Sequence, residues 1–325
     1  MSSFRLTVPG NLLLAGEYAV LEEGGLGAAL AVEPRLAVTV FPGEEWQIVG
    51  RWVGGQELWS PEDPAPAPFA GLAFLKALEL LEVRGDERQR RWSRRIPAAR
   101  IELDSSAFFD LQGRKRGFGS SAALAVGLTA ALARLVGREG ADSLHQAAVA
   151  AHRYAQGGAG SGYDVTVSWF GGFGLFVGGA QPRWQPADPD TLPALAVFAG
   201  PEAVRTVGSI ARYRDWKSHA PAEAGNFLDA SNAAVRALVS AKSPDAVTQA
   251  WQTARVLGLE LGDKIGVPAH LEVPPGLAGL DPQTFVKALG SGNETGLVAL
   301  RPPLPKPLPT GLTALVPSPE GIRWE

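Results

Sequence analysis

Two glycines and two serines stand close together in the stretch RGFGSSAALAVG, residues 116–127, where an alanine-rich apolar run begins. A glycine-rich turn that leads into a helix leaves backbone N–H groups unpaired at the positive end of the helix dipole, where phosphate groups bind well. The serine hydroxyls can cap the helix, contact a phosphate or bind magnesium. The stretch has neither the Gly-Lys-Ser/Thr ending of a Walker loop nor the G-x-G-x-x-G spacing of a dinucleotide fingerprint. By itself it predicts an anion site or an ordinary helix N-cap.

The composition narrows the class of protein. Of the 325 residues, 46% are hydrophobic and 19% charged, which is typical of a globular chain long enough for two domains. A net charge of −3 indicates no general attraction to nucleic acid or to anionic membranes. The absence of cysteine excludes disulfides and thiolate catalysis, and four scattered histidines argue against a zinc centre. No apolar run approaches the length of a membrane span, and we expect a cytoplasmic protein.

The elements that would position such a site follow from the spacing of apolar residues. Short apolar runs alternate with longer alanine-rich segments between prolines and glycines, which predicts mixed α and β structure. Helical spacing occurs at 120–136 and 142–156. The alternating stretch DVTVSWFGGFGLFVGG, 164–179, is typical of two strands that turn at the glycines. Proline and polar residues concentrate at 179–193, which indicates a domain boundary.

Four stretches together resemble the motifs of the GHMP kinases. They are PGNLLLAGEYAVL (9–21), GFGSSAALAVG (117–127), AHRYAQGGAGSGYDVTVSWFGG (151–172) and ALGSGNETGLVAL (288–300). Within that family the set is most similar to the phosphomevalonate kinases, whose motif A-H-x-x-A-Q-G-K-x-G-S-G-F-D-V is nearly matched at 151–165. The resemblance implies an α+β, two-domain GHMP kinase fold. Its N-terminal ATP-binding domain, of the ribosomal protein S5 type, would span 1–185, and a ferredoxin-like C-terminal domain would span 186–325.

The same resemblance implies an activity and its site. The reaction would be ATP-dependent phosphorylation of (R)-5-phosphomevalonate to 5-diphosphomevalonate, a step of isoprenoid synthesis. The implied ligands are ATP, Mg²⁺ and a small anionic substrate, with no nucleic acid or membrane partner, in a protein compatible with a homodimer. Asp164 matches the catalytic aspartate, and Asn11 occupies a catalytic position in the first motif. The nucleotide would contact Gly117, Phe118, Gly119, Ser120, Ser121 and Ala122, with Ser121 also the magnesium ligand. The substrate would contact Glu17, Tyr18, Ser161, Gly162, Lys217 and Ser291.

The residue types alone leave structural alternatives open. An aspartate between Gly-Tyr and an alternating segment, as at Asp164, is also typical of a turn cap. Glu17 and Tyr18 are equally compatible with a salt-bridging surface pair. His152, within the third motif, is interpreted as a packed helix residue and not as a ligand.

Two positions depart from the resembled motifs and leave the function open as well. Asn11 and Gly158 stand where those motifs have lysines, so two expected positive charges are missing. Phosphoryl transfer between two polyanions requires cations at the point of transfer. One alternative is therefore a GHMP kinase with a hydroxyl acceptor, and another is a non-catalytic relative that binds nucleotide.

Overall fold

A computed structural model describes most of the chain. The described residues are 2–81, 96–110, 112–140, 143–158, 160–200, 206–271, 285–290, 292–293, 295–300 and 307–325. Ser291, expected to contact the substrate, lies outside them.

Runs of strands are followed by runs of helices along the described chain, which confirms the expected α+β class. The strands are β1 (Phe4–Ala15), β2 (Leu26–Pro42), β3 (Gln47–Trp52), β4 (Gly55–Trp59), β5 (Ala99–Asp104), β6 (Phe173–Val177), β7 (Arg183–Ala187), β8 (Ala194–Ala199), β9 (Phe285–Leu289), β10 (Thr295–Leu300), β11 (Thr313–Ala314) and β12 (Arg323–Trp324). The helices are α1 (Phe69–Leu80), α2 (Ser120–Leu135), α3 (Leu144–Ala155), α4 (Tyr163–Phe170), α5 (Thr206–His219), α6 (Pro221–Ser240) and α7 (Pro244–Ile265).

The chain divides into two compact units. The first contains Met1–Asn11, Ala31–Gly171 and Ser318–Glu325, and the second contains Leu12–Leu30 and Gly172–Pro317. Strands β1 and β2 therefore contribute residues to both units. The division of the chain at residue 185 into an ATP-binding domain and a ferredoxin-like domain stays a prediction.

The first unit is built on a mixed sheet. Its strands follow the order β12-β1-β2-β5-β3-β4. β2 and β5 are antiparallel, with Val38 opposite Leu103, whereas β3 and β5 are parallel, with Ile48 opposite Ile101. A Cβ on Gly127 would lie 2.6 Å from a methyl carbon of Val38, so the glycine allows α2 to approach β2 closely. This contact places α2, with the glycine-rich loop before it, against the sheet.

The second unit contains a four-stranded sheet in the order β11-β8-β10-β9, in which all neighbours are antiparallel. Its core on this sheet consists of Ala196, Phe198, Val298 and Leu300. A second cluster joins α5, α7 and the residues after α7, and consists of Tyr213, Leu261, Ile265 and Val267. Strand β6 pairs with the first five residues of β2 and with β7. No helix among the described residues is long and apolar enough to cross a membrane.

The strand predicted after Asp164 is a helix in the structure. Residues Tyr163–Phe170 form α4, and only the second half of the predicted pair, Phe173–Val177, is a strand. The alternation of polar and β-branched residues misled the prediction because the four consecutive residues 165–168 are all buried, so Thr166 and Ser168 do not mark an exposed helix face. Gly162 precedes the helix with φ 83°, a left-handed conformation that glycine adopts without strain. Asp164 therefore lies in the first turn of a helix.

Candidate active site

The glycine-rich loop ends at the start of α2, as its residue types predicted. Gly119 precedes the helix with φ 70°, and the first helical hydrogen bond runs from the N–H of Ala123 to the carbonyl of Gly119, 3.1 Å away. The N–H groups of Ser120, Ser121 and Ala122 therefore have no partner in the helical hydrogen bonding. They lie at the N-terminus of α2, which is the positive end of the helix dipole. This arrangement can bind a phosphate group.

Asn11 is in direct contact with this loop. Its backbone N–H donates to the carbonyl of Phe118 over 3.0 Å, and its side-chain Nδ2 donates to Oγ of Ser168 over 3.0 Å. A Cβ on Gly119 would come within 2.2 Å of the Asn11 amide, so only glycine fits there. Asn11 is 2% exposed, and its Oδ1 has no hydrogen-bond partner in the described part of the chain. Asn11 thus joins the loop before α2 to α4, the helix that carries Asp164.

One oxygen of the Asp164 carboxylate is held by a backbone N–H group, and the side chain is partly exposed. Its Oδ1 accepts a 2.9 Å hydrogen bond from the N–H of Val165, and its side chain is 20% exposed. The acidic side chain in the first turn of α4 also interacts favourably with the helix dipole. Ser161, just before the helix, is buried, and its Oγ accepts from the N–H of Tyr163. The two halves of the third motif, 160–162 and Asp164, therefore meet at one helix start.

The last turn of α3 positions this helix start. Arg153 donates from Nε to the carbonyl of Gly160 over 3.1 Å and from a terminal nitrogen to the carbonyl of Ser161. Burial lowers the pKa of the Arg153 guanidinium, and the negative charge of Asp164 opposes that shift. The neighbouring His152 is 1% exposed. Its Nε2 lies 3.3 Å from Oγ of Ser121 and 3.6 Å from Oδ2 of Asp164.

His152 shows where sequence reasoning was incomplete. Its interpretation as a packed residue agrees with its burial and with the ring of Phe69, whose centroid is 5.7 Å away. The contacts to Ser121 and Asp164 were missed, although His152 and Asp164 belong to the same motif. The signal that could have found them is the polarity of a histidine on the apolar face of α3, which requires polar neighbours when buried.

The substrate-side candidates Glu17 and Tyr18 lie in the second unit. Glu17 forms an ion pair with Lys287, whose side chain is 3% exposed against 12% for Glu17. Tyr18 has φ 63°, a strained conformation for a residue with a side chain, and its ring lies 5.3 Å from that of Tyr213. Burial raises the pKa of Tyr18 to about 12. Lys217, the third candidate, is half exposed and paired with Glu22.

A cavity of about 180 Å³ in the second unit is lined by Glu17, Tyr18 and Lys287 together with residues of α6 and α7. The lysine was missed by sequence reasoning because nothing in its neighbourhood along the chain marks it as buried. It brings a positive charge to the carboxylate of the first motif, whereas the positions of the motif lysines hold Asn11 and Gly158.

The chemistry of the first unit's loop fits a nucleotide with magnesium. Magnesium prefers oxygen ligands and keeps much of its shell for water and substrate phosphates. The hydroxyl of Ser121 and the carboxylate of Asp164 are such oxygens, and both lie near Nε2 of His152. Among the described residues no cluster of three acidic or histidine side chains could hold a metal alone. Those oxygens would thus complement ligands on a nucleotide.

Comparison with known proteins agrees with this geometry. Residues 74–172 match the GHMP kinases N terminal domain family. A phosphomevalonate kinase from Streptomyces sp. (strain CL190) is 31% identical over 182 residues, which cover 51% of this chain and 47% of that protein. The match thus spans about half the length of the curated relative.

Solved structures resemble nearly the whole chain. A Lin0012 protein from Listeria innocua has a TM-score of 0.80 at 18% identity, over 100% of this chain and 99% of that one. Streptococcus pneumoniae phosphomevalonate kinase in complex with phosphomevalonate and AMPPNP has a TM-score of 0.69 at 18% identity, over 90% and 91%. At such identities the likeness shows the fold. Residues 74–172 are therefore similar to the N-terminal domain of the GHMP kinases, and the chain as a whole has the fold of these solved structures.

Proposed function

We propose that this protein is an ATP-dependent kinase that converts (R)-5-phosphomevalonate to 5-diphosphomevalonate. The observation that carries the proposal is the meeting of the loop 117–122 with Asp164 around one histidine, with Nε2 of His152 3.3 Å from Ser121 and 3.6 Å from Asp164. Phosphoryl transfer depends mainly on positioning and on stabilisation of charge, which a phosphate loop beside a carboxylate supplies. The names of the Streptomyces and Streptococcus relatives support phosphomevalonate as the acceptor.

The nature of the acceptor defines the role of Asp164. In the proposed reaction, an acceptor phosphate oxygen bonds to the γ-phosphorus while the bond from that phosphorus to the oxygen of ADP breaks. A phosphate monoester has a second pKa of about 6, so the acceptor is mostly ionised at neutral pH. Asp164 therefore orients the reacting groups and has no proton to remove. The N–H of Val165 anchors Oδ1, so Oδ2 is the oxygen that would contact and orient the reacting groups.

The other site residues have supporting roles in the proposal. The N–H groups at 120–122 bind the nucleotide phosphates, and Ser121 contributes its hydroxyl to Mg²⁺. Bound magnesium would neutralise charge that develops on the phosphates. Asn11 supports the loop and α4. Ser161 and Gly162 shape the substrate pocket. The acceptor is bound by Glu17, Tyr18 and Lys217. A cytoplasmic location and a homodimer remain predictions.

The test is product formation with a matched pair of aspartate variants. Purified protein with magnesium, ATP and 5-phosphomevalonate should release ADP, and phosphorus NMR should detect a diphosphate ester. Asp164→Asn should lower kcat by about 100-fold or more while AMPPNP still binds. The control is Asp245→Asn, which removes a carboxylate from the first turn of another helix, α7, and should leave kcat unchanged. Absence of ADP release by the wild type, beside an active control kinase, would refute the proposal.

A hydroxyl acceptor is the second candidate, and one observation favours it. Asn11 is neutral, and its Nδ2 is engaged by Ser168, so it brings no charge to offset a second phosphate. A panel of sugar, amino-alcohol and mevalonate acceptors discriminates between the two candidates. ADP release with one of these and none with phosphomevalonate would select this alternative. Nucleotide binding without turnover on any acceptor would instead indicate the non-catalytic relative.

A further inference from the structure

His152 is one of two buried histidines in the first unit, and their surroundings differ. In His145, Nε2 lies 2.8 Å from Oγ1 of Thr166, and Nδ1 lies 3.3 Å from the amide nitrogen of Gln146. Both of its ring nitrogens thus have partners. In His152, Nδ1 is buried without a hydrogen-bond partner in the described part of the chain, and all polar contacts are made by Nε2. His152 therefore directs its single polar edge to Ser121 and Asp164.

The unpartnered Nδ1 determines the tautomer. A hydrogen on Nδ1 would bury an N–H group with no acceptor, which is costly, whereas a bare Nδ1 is an acceptor left idle. For a ring with one N–H group, this difference favours the hydrogen on Nε2. Hydroxyl and carboxylate oxygens both accept from an N–H group, so Ser121 and Asp164 can share this hydrogen in a three-centre bond. The 3.6 Å separation from Asp164 exceeds a normal hydrogen bond, and such separations shorten when a site closes on its ligands.

We propose that His152 is a positioning residue that holds the carboxylate of Asp164 and the hydroxyl of Ser121 in their reactive orientations. The N–H group of Val165 holds one carboxylate oxygen of Asp164, and Nε2 of His152 lies 3.6 Å from the other, from where it would hold that oxygen when the separation shortens on ligand binding. Donation from Nε2 to Ser121 leaves the serine O–H free to turn toward a phosphate or a metal-bound water. This inference rests on the proposed kinase function, since it assigns a role to a residue of the same site.

Adjacent residues of α3 thereby contact the loop before α4 and the first turn of α4. Arg153 donates to the carbonyls of Gly160 and Ser161, while Nε2 of His152 lies 3.6 Å from Oδ2 of Asp164. A packing role alone would concern only the contact between His152 and the ring of Phe69. The positioning role and the packing role therefore predict different changes in kcat when the polar edge of His152 is removed and when Phe69 is replaced.

The experiment compares His152→Leu, His152→Gln and the packing control Phe69→Leu. Glutamine places an N–H donor near the position of Nε2, and leucine has none. We expect His152→Leu to lower kcat about 10- to 100-fold with KM for ATP and acceptor changed less than about threefold. His152→Gln should restore most of kcat. Phe69→Leu should lower the thermal midpoint and leave kcat near that of the wild type.

Each outcome decides the inference. Equal kcat losses in the Leu and Gln variants, or full activity in His152→Leu, would overturn it. If His152→Leu does not fold, His152→Asn, whose amide is too short to reach the Nε2 position, replaces it in the comparison with His152→Gln.

If the wild type releases no ADP, the proposed function fails separately, and the affinity of the variants for AMPPNP with magnesium tests the inference instead. Affinity at least about fivefold weaker in the Leu or Asn variant than in the Gln variant supports positioning of Ser121, and equal affinities refute it.

Discussion

Asn11 and Ser168, which are 157 residues apart in the chain, are joined by a 3.0 Å hydrogen bond from Nδ2 of the amide to Oγ of the hydroxyl. Both side chains are buried. The bond links the strand beneath the glycine-rich loop to α4, one helical turn after Asp164. An asparagine at this position therefore connects the two structural parts of the candidate site, although it carries no charge.

A double-mutant cycle measures this link. Asn11→Leu keeps the approximate volume and removes the donor, and Ser168→Ala removes the acceptor. Each should lower the free energy of unfolding by about 1–3 kcal/mol, because each leaves a buried polar group unpaired. In the double variant the losses should fall short of their sum by about 1 kcal/mol. Urea unfolding provides the four free energies. Losses that add within about 0.3 kcal/mol would show that the two side chains are not coupled.

Gly119 is a tightly constrained position of the loop. Its φ of 70° disfavours any side chain, and a Cβ would come within 2.2 Å of the Asn11 amide. Gly119→Ala should therefore destabilise the protein by about 2–4 kcal/mol and weaken AMPPNP binding.

Gly137→Ala is the matched control for that substitution. Gly137 has nearly the same φ, 69°, and no atom within 4 Å of a Cβ, so its substitution should cost only about 1 kcal/mol. Adding Asn11→Ala to Gly119→Ala should recover part of the loss, because it removes the clash. Equal effects of the two glycine substitutions would contradict the close contact at Gly119.

The stability of the first unit should depend on pH through His145. Burial lowers the pKa of His145 from 6.5 to about 4. Between these values the unfolded chain binds a proton that the folded chain does not, so the free energy of unfolding rises with pH. The contribution is fully present above about pH 6.5 and is lost as pH falls toward about 4.

Comparison of the wild type with His145→Gln isolates this effect. Between pH 7.5 and pH 5, the difference in unfolding free energy between the two proteins should change by about 2 kcal/mol, with the wild type losing more. Denaturant unfolding at the two pH values measures it. His219→Gln, at a side chain that is 77% exposed, should show no such change. A constant difference for His145→Gln would mean that the imidazole titrates alike in both states.

Lys287 and Glu17 form a largely buried ion pair in the second unit, with side chains 3% and 12% exposed. Lys287→Met leaves the Glu17 carboxylate buried without its cation and should cost about 3–5 kcal/mol. The double variant with Glu17→Gln should recover at least about 1 kcal/mol, because no uncompensated charge is left. The exposed pair Lys264 and Glu223 is the control, where Lys264→Met should cost less than about 1 kcal/mol. Similar losses at both pairs would contradict the burial of Lys287.

The sequence by itself determined the elements with strong local patterns. The helical spacing at 120–136 and 142–156 corresponds to α2 and α3, and the glycine-rich stretch lies at a helix start as predicted. These predictions succeeded because helix periodicity, glycine backbone freedom and capping act over a few neighbouring residues. The motifs also resembled those of the GHMP kinases, whose N-terminal domain model matches residues 74–172.

Tertiary structure alone decided which side chains meet. The contacts of His152 with Ser121 and of Lys287 with Glu17 join residues 31 and 270 positions apart, and no local pattern encodes such pairs. It also decided that the segment 163–170 is a helix, because Thr166 and Ser168 are buried beside their apolar neighbours and so do not mark a solvent-facing stripe in the sequence. Local propensity selects elements, whereas burial and hydrogen bonding between distant segments select the partners of each polar group.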